Sequence, residues 1–287
     1  MSMNIFHSVK QAIGNLDPQE VRDQADRPFR IGLHAGSEQT YFEMQRFFAP
    51  SAVSNLKRIE LAGMVRRATD VDRYDIDIYS HELSTPSDGY YFSPANPERT
   101  VRDILQRRPD LALALARHVY PFRQPVVNRI ITKISKENAL FALATAIPDI
   151  VPLLSLPWAI GEFASDTAFI TANQLRMGFF LAAASDRPVG YREQKAEVAS
   201  MLLGAFGWRA IARELVGKIP LGGGLLPKAA IAYAGTRVVG MSMERYYRIG
   251  YGYTREERRE AYEAALKRGK TVANAMLAGL KRVPARS

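Results

Sequence analysis

The chain has no cysteine and only four histidines in 287 residues. Disulfide scaffolds, zinc-thiolate fingers, iron-sulfur clusters and thiol nucleophiles are thereby excluded, and a His-rich metal site is not expected. Long apolar runs are also missing. A spanning helix needs about 18 to 20 apolar residues with few charges. The best candidate, residues 138–161, reads NALFALATAIPDIVPLLSLPWAIG, with Asp149 as its one charge and Pro148, Pro152 and Pro157 interrupting it. Proline removes a helical hydrogen bond and clashes with the preceding turn. Two helices around a bend therefore fit better than one span, with a re-entrant apolar hairpin at a bilayer surface as the membrane alternative. A charged segment followed by a continuous apolar one is absent from the first residues, so no cleaved signal peptide is expected and the chain is expected to start near Met1. Ile5, Phe6, Val9, Ala12, Ile13 and Leu16 instead fall at helical spacing, giving a short amphipathic helix over Met3 to Leu16.

Apolar residues make up 47% and charged residues 24%, a composition that supports a folded core. The 39 basic residues against 29 acidic ones leave a formal charge of +10, which suits an anionic partner: nucleic acid, acidic protein or anionic lipid. Length allows one large or two modest domains.

Asp17-Pro18-Gln19-Glu20 reads as a helix start, with proline pre-set for the first turn, and this helix ends before Pro28. Phe29 to His34 is a compact strand pattern, followed by Ala35-Gly36-Ser37 and a helical run through Phe48. Tyr74 to Tyr79 alternates Ile76 and Ile78 with Asp75 and Asp77, and Tyr90-Tyr91-Phe92 is a third strand candidate. Residues 29–94 thus read as a small α/β unit of three or four strands. Beyond Pro94 the alternation stops and helix starts recur at Pro97, Pro109 and Pro125, the last opening a helix that runs to Ile147. Further helices are expected from Pro157 to Ala184, Glu193 to Val216 and Lys228 to Tyr247. Thr254-Arg255-Glu256-Glu257 is a capping box for a last one. The expected fold is α+β and mainly α. Its divisions are N-terminal helices (1–28), a degenerate P-loop-like α/β unit (29–94), a helical bundle (95–252), and a basic C-terminal helix and tail (253–287).

The turn at Gly36 and Ser37 lies where a nucleotide-binding protein places its phosphate loop. A working loop needs lysine and a hydroxyl at fixed spacing, to neutralise phosphate and hold magnesium. Counted from Gly32, those Gly-Lys-Ser positions carry Ser37, Glu38 and Gln39. An acid in place of lysine repels phosphate, so the turn reads as a structural or pseudo-site, with Gly36 and Ser37 as the residues that would touch a cofactor if it held one. Asp75 and Asp77, near His81 and Glu82, could coordinate a divalent cation. The solvated edge of a half-buried strand is the commoner explanation. Glu162, Asp166, Asn173 and Arg176 form one stripe on an apolar helix, read as a salt-bridged face or, if buried, a register-fixing network. Ala232, Thr236 and Gly240 put small side chains on one helix face and allow close packing. Residues 267–287 hold six basic residues and no acid, interleaved with Val272, Met276 and Leu277, a pattern suited to an anionic membrane or an acidic partner. The same pattern also describes a final bundle helix with a solvated basic face. Specific nucleic-acid recognition is not expected, because no DNA- or RNA-binding motif is present.

NALFALATAIPDIVPLLSLP, NQLRMGFFLAAASDRPVG and LVGKIPLGGGLLPKAAIAYAGTRVVGMSMERYYRIG together resemble the helical domain of unknown function of bacterial YcjF-type inner-membrane proteins, also fused behind Era-like GTPase domains. The shared features fall on Asn138-Ala139, Pro148, Gln174 with Met177, Ile219-Pro220, and Ala230 to Gly240 with Tyr246 and Tyr247, within about residues 125 to 250. The resemblance implies a membrane-associated helical module partnered with a small GTPase, and makes residues 29–94 look like a shortened, decayed G domain. It supplies no catalytic residue and no cofactor.

The function expected is that of a non-enzymatic scaffold at the cytoplasmic face of the inner membrane. Its contact residues would be Leu153, Leu154, Leu156, Trp158, Leu221, Leu225 and Leu226, with Lys267, Arg268, Lys270, Lys281 and Arg282 supplying charge. A GTPase or larger complex, an anionic membrane surface and a second copy of the chain are the partners admitted. The alternatives are an enzyme with a nonstandard nucleotide or metal site near Ser37, Asp75, Asp77 and His81, and a soluble oligomeric adaptor.

Overall fold

The computed structural model describes residues 16–50, 54–69, 71–145, 166–194 and 225–281. They form a mainly helical α+β protein. The described residues fall into two compact units: a sheet unit within Gln19–Asn128 and Ala183–Arg187, and a helical unit within Arg129–Ala182 and from Pro188 onward, to which residues 16–18 also belong.

The sheet unit opens with α1 (Pro18–Ala25), whose Val21 and Ala25 are buried, and leads into β1 (Ile31–His34). Ser37 caps α2 (Glu38–Phe48), accepting from the Thr40 amide, and Ser54 caps α3 (Asn55–Met64) in the same way through Lys57. These hydroxyls satisfy backbone donors that a first helical turn leaves orphaned. Strands β2 (Val65–Arg67), β3 (Ile76–Ser80) and β4 (Tyr90–Phe92) complete a wholly parallel sheet of order β2-β1-β3-β4. Helix α4 (Pro97–Arg107), a single 3₁₀ turn (Pro109–Leu111) and α5 (Ala112–His118) follow. The proline at 109 therefore starts a tight turn and not the helix itself.

Strand periodicity gives the sheet two unlike faces. Ile31, Leu33, Ile76, Ile78, Tyr90 and Phe92 are all buried, and Phe48 of α2 packs on this side, 6.1 Å from Phe92 and 6.2 Å from Phe122 by ring centroid. Parallel register sets Gly32 beside Asp77 and His34 beside Tyr79 on the other face. The connections on either side of β3, residues 68–75 and 81–89, contain no helix among the described residues, and His34, Asp77 and Tyr79 stay half-exposed. Parallel sheets ordinarily have both faces covered. Tyr74 partly compensates by lying over Gly32, where an added Cβ would come within 2.7 Å of the ring.

Helix α6 (Tyr120–Ala144) contains Pro125 in its second turn and so begins ahead of the start expected there. The division between the two units falls inside α6, and Val101, Ile104, Leu111 and Phe122 are buried on the sheet-unit side of it. The helical unit comprises the rest of α6, α7 (Asp166–Ala184, to Ala182), α8 (Leu225–Ile249) and α9 (Arg255–Lys281). Helices α8 and α9 pack along their length through Ala230, Ala234, Val238, Tyr262, Ala265 and Leu266. At the start of α9, Thr254 N donates to Glu257 Oε2 (2.8 Å) and Glu257 N to Thr254 Oγ1 (3.2 Å), a reciprocal capping box. The helices expected over Met3 to Leu16 and Glu193 to Val216 lie almost wholly outside the described residues. Gln194, at the edge of the latter, closes a turn. Among the described residues no helix is long and apolar enough to cross a membrane.

Candidate functional site

In open parallel sheets, ligands bind beyond the strand C-termini where neighbouring strands lead in opposite directions. Here that point lies between β1, which leads to β2 on one side, and β3, which leads to β4 on the other. It is formed by His34, Gly36, Ser37, Ser80 and Glu82. The Gly36 amide donates to Ser80 Oγ over 3.4 Å. Glu82 Oε1 accepts from Ser37 Oγ (3.0 Å) and Thr40 Oγ1 (2.9 Å), and the two hydroxyls are 2.9 Å apart. A protein carboxylate thus sits on the first turn of α2, where the orphan amides and the helix dipole favour negative charge. The Thr40 hydroxyl first, and Ser37 with it, holds the Glu82 carboxyl below its ordinary range.

Beside it, His34 Nε2 lies 2.8 Å from Asp77 Oδ1, and the imidazole stacks on Tyr79 at 4.1 Å and 9°. Asp75 faces elsewhere: its Oδ2 accepts the Arg30 amide at 2.8 Å. Asp75, Asp77 and Glu82, neighbours in sequence, are therefore sent to three different partners, and His81 is exposed. Among the described residues no group of three acidic or histidine side chains could hold a metal. Glu38, at the position lysine would need, is ion-paired with Arg67.

A second polar cluster is buried in the helical unit. Asn138 Nδ2 donates to Thr236 Oγ1 at 2.7 Å, Gln174 Nε2 donates to the same oxygen at 3.4 Å, and Asn173 Nδ2 donates to Asn138 Oδ1 at 2.8 Å. Glu137 accepts from Asn173 at 3.3 Å and pairs with Arg176 at 3.6 Å. Asn173 and Arg176 of the expected stripe thus meet α6; Glu162, and the side chain of Asp166, lie outside the description. Gly240 of α8 lies where an added Cβ would meet Ile131 at 2.8 Å and Met177 at 2.9 Å, while Ala232 and Thr236 are buried on the same helix. Gln194 is a further buried polar group, donating to Tyr247 Oη at 2.7 Å and to the Gly178 carbonyl at 3.3 Å. Nothing in its local sequence marks it.

Of the contact residues expected from sequence, Leu153, Leu154, Leu156, Trp158, Leu221 and Arg282 lie outside the described residues. Leu225 opens α8 and Lys281 ends α9. Leu226 packs against the cluster of Ala139, Leu143, Ala229, Tyr233 and Ala273. Lys267 and Arg268 are exposed and Lys270 half-buried on α9. No family model, curated protein or solved structure matches the chain.

Proposed function

We propose that this chain is a non-enzymatic docking protein, peripheral at the cytoplasmic face of a bacterial inner membrane and working beside a GTPase or larger complex. The observation that carries the non-enzymatic part is the seat of Glu82. A triphosphate at this loop would meet the Glu82 carboxylate on the α2 turn, whose like charge repels it, and in the lysine position it would find Glu38, paired with Arg67, in place of a cation. The sheet unit then serves as a rigid body that no longer turns over nucleotide.

Attachment is supported by the charge gradient of α9. Its acids end at Glu263, and Lys267, Arg268 and Lys270 follow. Each such cation near an anionic bilayer contributes about 1 kcal/mol, so a few give reversible binding. The same gradient complements the helix dipole, which favours cations toward the C-terminus.

Two measurements test the reading. Thermal melts with ATP or GTP and magnesium at millimolar concentration should show no shift, since ligand binding to the native state must raise apparent stability. A clear shift restores the nonstandard nucleotide enzyme. Flotation with anionic vesicles should succeed at low salt and fail at high salt; equal absence from anionic and neutral vesicles removes the membrane part and leaves the adaptor.

A further inference from the structure

The geometry points to a second contact surface, on the sheet unit: the outward side of α3 and the cleft at its C-terminal end, which takes an acidic amphipathic segment of a partner protein. This inference rests on the docking reading above and names the partner's chemistry.

Helix α3 turns Lys57, Leu61 and Met64 inward, and of these only Leu61 is fully buried. The opposite stripe carries Leu56, 82% exposed, and Ile59, 72% exposed. Gly63 continues it one turn on, with nothing within 4 Å of where its Cβ would stand. Two bare aliphatics a turn apart on one helix differ from the scattered single apolar residues normal to a surface. The stripe runs into a cleft of about 310 Å³ whose walls include Gly63, Met64, Pro28 and Phe29. A flat bilayer has nothing to place in such a hollow. A helical segment with apolar residues at i, i+3 and i+7 lays one row along the stripe and drops a side chain into the cleft.

Charge selects the partner's sign. The acids around the cleft are already engaged: Asp26 pairs with Arg117 at 3.3 Å, and Glu60 with Lys57 at 3.1 Å and with His118 at 2.6 Å. Asp110 pairs with Arg108 at 3.1 Å and with Arg27 at 3.5 Å. Arg30, in the cleft wall, has Asp75 on its amide and Asp72 within electrostatic reach but is in no side-chain ion pair with a described residue, and the Arg58 guanidinium, on α3, reaches the neutral Asn55 side-chain oxygen. The charge left over beside the apolar stripe is positive, and complementarity calls for acid on the partner.

The test uses the full chain and a synthetic helical peptide with leucines at i, i+3 and i+7 and glutamates between them, followed by fluorescence anisotropy. Saturable binding is expected, weakened roughly tenfold or more by Ile59→Ser and by Arg30→Glu. Both positions are exposed, so the thermal melts of the variants should match the parent and exclude misfolding. A peptide with lysines in place of the glutamates should bind roughly tenfold or more weakly. Failure to saturate, equal binding of both peptides, or indifference to Ile59→Ser overturns the proposal. So does loss in that variant of vesicle flotation or of self-association, which would assign the stripe to lipid or to a second copy. Nucleotide melts are read separately, so an inert peptide leaves the non-enzymatic reading standing, and a nucleotide shift leaves the peptide result standing.

Discussion

Asn138 donates from its side-chain amide to Thr236 across 2.7 Å, joining α6 to α8 where both residues are fully buried. Breaking one side of a buried pair exposes the other's desolvation penalty, about 1 to 3 kcal/mol. Asn138→Leu removes partners from both Thr236 and Asn173, so urea unfolding should show a loss at the upper end of that range. Adding Thr236→Val should cost less than the sum of the two single changes, because the Asn138–Thr236 bond is lost in each of them, while Asn173 and Gln174 still lose their acceptors.

Gly269 of α9 faces α8 so closely that a Cβ would come within 2.7 Å of the Ala230 carbonyl oxygen and 3.2 Å of its Cα. Backbone cannot rotate away as a side chain can. Gly269→Leu should therefore destabilise by about 1 to 3 kcal/mol or more through overpacking, read as a lower denaturation midpoint. Gly235, on α8 with nothing within 4 Å of an added Cβ, is the control, and Gly235→Ala there should be neutral or slightly stabilising.

Glu82 is held ionised by the Thr40 and Ser37 hydroxyls, so its folded pKa lies below the unfolded one. The sign follows: its contribution is fully present above the ordinary carboxylate range and is lost as acid brings the pH down through the folded value. Thermal melts of the parent should fall more steeply between neutral pH and about pH 3 than those of Glu82→Gln, which has no carboxylate to protonate.

Burial pushes the Tyr262 phenol up to about 12, against 10.0 for an ordinary tyrosine. Its contribution is present below the unfolded value and is lost as pH rises through the folded one, since the unfolded chain gives up the proton first. Tyrosinate absorbance should show one group lagging in alkaline titration, absent in Tyr262→Phe. The parent should lose at most about 2 to 3 kcal/mol more than that variant over this window.

Thr254→Ala removes the hydroxyl that accepts the Glu257 amide at 3.2 Å. An exposed cap of this kind is worth about 0.5 to 2 kcal/mol. Helicity of α9 and the thermal midpoint should both decline.

Local chemistry was the legible part of this fold. Alternation at Ile76 and Ile78 marks β3, the Thr254 capping box marks a helix start, and the mainly helical α+β class follows from the change of texture after Pro94. Boundaries set by tertiary packing were not legible. Nothing local ties α4 and α5 to the sheet; Thr100, whose hydroxyl donates to the Tyr91 carbonyl at 2.7 Å, does so only in the folded chain. In the candidate site, the acid at position 38 is legible from spacing alone, but the capture of Ser37 and Thr40 by Glu82 spans more than forty positions and has no sequence period. The His34–Asp77 contact is of the same kind, a diagonal pair created by parallel register.

The seat of Glu82 also bears on engineering of this turn. Installing lysine at position 38 would strand Arg67, the present counter-ion of Glu38, and the new cation would still face a built-in rival for its phosphate. Building triphosphate affinity into this turn takes at least paired changes at 38 and 82, neither sufficient alone.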